Sequence, residues 1–153
     1  MLSKERVNEA KTNVSQYLKE GMLKKVTTKE PFVRKILINN CNESLIVAES
    51  LSKSNMSNLW VIVCSYYSMY YIANAVLYEL GYKVGDKVSH KVTADALIVY
   101  ATKKLKESLL EDYEEAKSDA LEISGNKAEV LIEHFDFERE KRSRFQYSTS
   151  ETA

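Results

Sequence analysis

The chain has 153 residues, and 22 Lys plus Arg balance 22 Asp plus Glu to give zero net charge. That length suits one domain with a sizeable core. The neutral balance excludes a globally basic nucleic-acid binder and leaves any such role to a local patch. One proline, four glycines and no sustained polar–apolar alternation predict helices and no sheet.

The first predicted helix runs from Ser3, its expected N-cap, to Lys24. Val7, Ala10, Val14, Tyr17, Leu18 and Gly21 recur at three-four spacing and make one apolar stripe. The second opens at Pro31, a residue suited to the first helical turn. Phe32, Ile36, Leu37, Cys41, Leu45, Ala48 and Leu51 are its expected face. SKSNMSN, residues 52–58, is the turn that follows, with Ser57 or Asn58 as the next cap.

The third helix, LWVIVCSYYSMYYIANAVLYELGY, carries no charge from Leu59 to Tyr78 and holds five of the ten tyrosines there. Its length matches a bilayer span. However, SYYSMYY and Asn74 at mid-depth would place hydroxyls and an amide in hydrocarbon, whereas tyrosines prefer the membrane interface. The expected reading is therefore a central helix buried all round. Tyr66 and Tyr70 share one face, and Tyr67, Tyr71 and Tyr78 the neighbouring one. Ser65, Ser68, Ile72 and Ala75 form a slimmer face open to close approach. Five phenols suit a cleft or a dimer seam, where rings bury and hydroxyls stay wet.

Gly81 ends this helix, and a loop spans residues 83–89. A fourth helix runs from Ser89 to about Lys104, with Val92, Ala96, Val99 and Tyr100 inward. His90 near its start is expected to be neutral, because the helix dipole disfavours a cation there. Next comes a helix with Leu109, Tyr113, Ala116 and Ala120 on one face. Seven acids against two lysines in residues 105–122 make its other side a solvated face. Gly125 and Asn126 break it. A last helix from Lys127 carries Val130, Leu131, His134 and Phe135. The expected architecture is an all-α, antiparallel bundle of five or six helices over residues 1–147, with a disordered polar tail, 148–153.

Cys41 and Cys64 lie in apolar-periodic segments and read as two reduced, buried thiols. MLSKERVNEAK contains no apolar run, so no signal peptide is expected, and the predicted location is cytoplasmic. No metal-ligand spacing, glycine-rich phosphate loop or nucleophile elbow is present, so no cofactor is expected.

Tyr66, Tyr67 and Met69, then Leu77, Gly81 and Tyr82, then His90 opening the next helix, resemble the HEPN superfamily. So does EREKRSRFQY, with Arg139, Arg142, Arg144 and Tyr147. The resemblance covers residues from about Pro31 to Tyr147. It implies a helical bundle that dimerises. Many HEPN proteins are ribonucleases, often toxins, and others partner a minimal nucleotidyltransferase. The nuclease form carries Arg, four to six residues, then His, and two such motifs face each other across the dimer cleft and cleave RNA without a metal. Here the motif is broken: after Arg142 and four intervening residues comes Tyr147, and both histidines, His90 and His134, precede Arg139. A phenol is mostly protonated at neutral pH and is a poor base.

The expectation is therefore a homodimeric module, toxin–antitoxin-like in kind, that binds nucleotide or RNA or docks a nucleotidyltransferase. Arg139, Arg142, Arg144 and Tyr147 would hold phosphate and base. Tyr66, Tyr67, Tyr70 and Tyr71 would line the cleft or the dimer interface. The alternative is a divergent ribonuclease, with Arg142 stabilising the phosphorane and Tyr147 or His90 handling the proton.

Overall fold

A computed structural model describes residues 1–123 of the chain. The order is α1 (Lys4–Glu20), β1 (Leu23–Lys25), α2 (Pro31–Lys53), α3 (Asn58–Glu79), β2 (Tyr82–Val84), α4 (Ser89–Tyr100) and α5 (Glu107–Ile123). Five helices and one very small sheet make this an all-α bundle, as the periodicity predicts. The expected last helix from Lys127 and the tail lie outside the described residues.

Several boundaries follow from local chemistry. Ser3 Oγ accepts the backbone N–H of Arg6 at 3.1 Å and caps α1. Ser57 Oγ does the same for Trp60 at the start of α3, at 3.4 Å. Pro31 occupies the first turn of α2, and the N–H of Glu30 just before it donates to Tyr78 Oη at 2.8 Å. That bond ties the start of α2 to the end of α3.

The expected run of α1 to Lys24 is incorrect. Gly21 is no stripe residue; it sits at φ 75° and stops the helix. Positive φ costs glycine little, and a helix that meets it there ends. The chain then turns into β1, which pairs antiparallel with β2: Leu23 with Val84, Lys24 with Lys83, Lys25 with Tyr82. The sheet excluded by the sequence analysis is therefore present. Three residues per strand are too few to show alternation, and the first two residues of the expected 83–89 loop, Lys83 and Val84, are strand. Gly81, at φ 94°, makes the corresponding turn after α3.

α2 and α3 form an antiparallel hairpin. The small face of α3 meets α2: Ser68 and Ala75 are buried, and Ser68 Oγ lies 3.3 Å from Cys41 Sγ. Ile72 of that predicted face is exposed. The packed face of α2 is rotated from the expected one. Val33, Leu37, Cys41, Ser44, Ala48 and Leu51 turn inward, while Phe32, Ile36 and Leu45 are exposed. Cys41 and Cys64 are free thiols, each half-buried.

α3 is the one described helix long and apolar enough to cross a membrane, yet only 28% of its apolar window is buried. It is not enclosed all round, and Trp60 and Ile72 face outward. The enclosed helix is α4, where Ser89, His90 and every residue from Val92 to Ile98 are buried. Ala94, Ala96 and Ala101 are small enough to let α1, α3 and α5 close around it. α4 ends at Tyr100 rather than Lys104. On α5 the inward positions are Leu110, Tyr113 and Ala120, with Leu109 exposed instead of buried.

Val88 precedes α4 at φ 46°, ψ 36°, a left-handed conformation that strains a β-branched residue. Val88→Gly is expected to raise stability by about 1 kcal/mol. Gly21→Ala is expected to lower it by about the same amount. Urea unfolding followed by circular dichroism measures both, and equal signs for the two would contradict the assignment.

Candidate functional site

The tyrosines of α3 and the histidine of α4 come together. Helical spacing puts Tyr66 and Tyr70 one turn apart, and the second residue of α4 arrives beneath them. His90 is 2% exposed. Its Nδ1 lies 2.9 Å from Tyr66 Oη. Tyr66 Oη also lies 3.4 Å from Tyr113 Oη, reaching from α5. Tyr70 stacks on the imidazole with centroids 4.2 Å apart. Tyr67 meets it edge-on at 5.6 Å. Tyr71 packs on Tyr67 at 5.8 Å and on Tyr70 at 5.5 Å. The cluster spans a gradient, with Tyr66 and Tyr113 fully buried and Tyr67, Tyr70 and Tyr71 half-buried.

Burial pushes the Tyr66 phenol well above its usual range, and the neighbouring Tyr113, Tyr70 and Tyr67 push the same way. Burial raises Tyr113 too. An ionised phenolate would need solvation that this interior lacks. These phenols therefore keep their protons and act as hydrogen-bonding and stacking groups, not as bases.

A second polar constellation lies on another side of α4. Asp95 is 0% exposed. Its Oδ1 accepts from Arg6 Nη1 at 2.7 Å. Its Oδ2 accepts from Asn13 Nδ2 at 3.0 Å and from Tyr17 Oη at 2.9 Å. Arg6 Nη2 also reaches Glu114 Oε1 of α5 at 3.0 Å. Burial and the Asp95 carboxylate both raise the Tyr17 phenol above its usual range. Among the described residues no buried side-chain nitrogen or oxygen lacks a hydrogen-bond partner. So satisfied a carboxylate, neutralised by a guanidinium, locks helices together and is not poised for chemistry. Sequence reasoning missed this network. Its signal was the lone acid in VTADALIVYA, together with Arg6, Asn13 and Tyr17 on the same stripe of α1 as Ala10 and Val14.

Charge is unevenly placed. Lys24 and Lys83 sit directly opposite one another across the β1–β2 ribbon, with Lys25 opposite Tyr82. All three lysines are exposed and make no ion pair among the described residues. Tyr82 stacks on Tyr100 at 3.9 Å. Nearby in the chain, Lys29 and Arg34 pair with Glu79 at 3.8 and 3.5 Å. Together with Lys35 and Tyr78 they line an open groove of about 490 Å³. α5 carries the opposite charge.

Arg139, Arg142, Arg144 and Tyr147 lie outside the described residues, as does His134. The four tyrosines and His90 that the sequence singled out form one cluster, but Tyr66 and His90 lie at its buried end. Among the described residues no three His, Cys, Asp or Glu side chains assemble into a metal site. No family model, curated protein or solved structure matches the chain.

Two outcomes follow from these networks. Asp95→Asn should cost about 3 kcal/mol in urea unfolding, because Arg6 keeps Glu114 but loses its fully buried counter-charge, and Asn13 and Tyr17 lose a charged acceptor. The second concerns alkali. Folding holds the buried phenols protonated, so their stabilisation is complete below the ordinary phenol pKa of 10.0 and is lost as pH rises through their elevated folded values. Tyr100, pushed up to about 12 by burial and its bond to Tyr82, marks the window. Stability should be flat to about pH 9 and fall between about pH 10 and 12. Phenolate absorbance from Tyr66 and Tyr113 should appear only as the helical signal collapses. Full ionisation of all tyrosines in the folded chain would refute it.

Proposed function

We propose that this chain is a HEPN-like, homodimeric binding module for the phosphodiester backbone of single-stranded RNA or a nucleotide, and not a self-sufficient ribonuclease. The observation that carries this reading is the lysine ribbon. Like charges facing each other across a ladder destabilise it, and Lys24 and Lys83 do so on a protein with zero net charge. A phosphate laid over the pair turns that repulsion into attraction and releases counterions. Tyr82, the next residue along, lies with Lys25 on the other face of the ribbon and stacks on Tyr100 there, so the lysine pair and not a stacking ring carries the reading.

Support for binding over catalysis comes from His90. Its ring is enclosed by Tyr66, Tyr67 and Tyr70, and Nδ1 is engaged by Tyr66. A general base has to reach the proton it takes. In this reading Arg139, Arg142, Arg144 and Tyr147 are further phosphate- and base-binding residues of the chain, and a minimal nucleotidyltransferase is the partner to look for if RNA does not bind.

A titration of labelled single-stranded RNA, followed by fluorescence anisotropy at 50 and 200 mM salt, tests the proposal. Binding should weaken as salt rises, and each of Lys24→Ala and Lys83→Ala should lower the log–log salt slope by about 0.7. RNA affinity that is indifferent to both variants and to salt would remove the ribbon from the account. Cleavage of the RNA, lost in an Arg142→Ala and Tyr147→Phe double variant, would show the ribonuclease alternative instead.

A further inference from the structure

The outer face of α2 mixes large apolar and polar side chains in a self-complementary pattern. Phe32, Ile36, Ile46 and Val47 are between 47% and 61% exposed. Phe32, Ile36 and Ile46, with the exposed polar residues Asn39, Glu43 and Ser50, follow a four-three spacing, 32, 36, 39, 43, 46, 50, and Val47 lies beside it. That is the seam of a helix built to meet another helix. The opposite face of α2 is already used against α3, so among the described residues this one is left over. Large side chains exposed in one stripe mark an interaction surface, unlike apolar residues scattered singly.

The charges on this face identify the occupant. Lys35 and Glu43 are exposed and make no ion pair among the described residues. Neither has an opposite charge three or four residues away on its own helix, where a pair would form. They stand eight residues apart, with Asn39 midway. An antiparallel copy of α2, crossing on a two-fold axis at Asn39, pairs residue 32 with 46, 35 with 43, and 39 with itself. Phe32 then meets Ile46 twice, Lys35 meets Glu43 twice, and the two Asn39 amides can each donate and accept. An isologous interface requires this reciprocity.

We infer that α2 is a homodimer interface, with two copies packed antiparallel about Asn39. The inference rests on the homodimer in the reading above and locates it. The 23-residue helix is about 34 Å long, so a seam along it falls at the small end of specific interfaces. The dimer should accordingly be weak, with a dissociation constant in roughly the micromolar range.

Sedimentation equilibrium of the full chain between about 1 and 200 µM, a range set by that affinity, provides the test. Lys35→Glu alone and Glu43→Lys alone each create two like-charge contacts and should weaken dimerisation about tenfold. The double variant, Lys35→Glu with Glu43→Lys, should restore it, and an equimolar mixture of the two single variants should form heterodimers better than either forms homodimers. Phe32→Ser should weaken it by about tenfold or more. All these positions are exposed, and unchanged thermal unfolding of the dilute monomers confirms that the variants fold. A dimer unmoved by every variant would overturn the α2 interface while leaving the homodimer reading standing. A dimer weakened by the single variants but not restored by the double one would overturn the antiparallel register. A chain that stays monomeric to 200 µM would overturn this inference and the homodimer together, whatever the RNA titration shows.

Discussion

Asp95 is the constraint around which the described domain is organised. A carboxylate with no solvent exposure has to be paid for with partners, and it has three: Arg6, Asn13 and Tyr17, all from one face of α1. Arg6 carries the connection on to Glu114 of α5. One buried charge thereby fixes the register of the N-terminal helix against α4 and the rotation of α5 about both. The N-terminus adds to the clamp, since the N–H of Leu2 donates to Glu107 at 3.1 Å. Hydrophobic contact alone would let these helices slide by a residue at modest cost. A bidirectional hydrogen-bond network tolerates no such shift, because a displaced partner leaves a charge unsatisfied.

The same helix, α4, organises the aromatic side. Its small residues admit close neighbours, and His90 at its first turn meets Tyr66 and Tyr70 from α3 while Tyr66 reaches Tyr113 on α5. Asn74 of α3 adds a bond to Thr93 at 3.2 Å. Two polar networks thus emerge from a short helix whose buried run from Val92 to Ile98 is otherwise Val, Ala, Leu and Ile. The phenols at the buried end are held protonated by burial, whereas Tyr67, Tyr70 and Tyr71 reach towards the surface.

Charge segregation gives the molecule its polarity. A zero sum conceals a lysine ribbon at one place and a densely acidic α5 at another. The ribbon exists because Gly21 and Gly81 each turn the chain at positive φ into a strand, bringing Lys24 across from Lys83. Residues far apart in sequence become a local cationic track only through that pairing. Like-charge opposition costs stability, and its presence is the strongest local reason to look for an anionic ligand.

The helical class, the caps at Ser3 and Ser57, the first-turn proline and the small-residue approach of Ser68 were legible in the sequence, because each depends on a few neighbouring residues or on a helical period. Other features were not. Three-residue strands carry no period, so the sheet was invisible. The stripe read on α2 joined Leu37, Cys41, Ala48 and Leu51, which turn inward, with Phe32, Ile36 and Leu45, which face out. Periodicity gives an arc of a helix without saying which neighbour covers it. The length and apolarity of α3 suggested an enclosed centre, yet the shorter, alanine-rich α4 holds that place, since small side chains are what permit neighbours on every side. Asp95 is a single acid among apolar residues, and nothing local marks it out. Only the tertiary structure supplied the arginine, amide and phenol that let a charge stay buried, because those partners lie roughly eighty residues away and no local rule connects them.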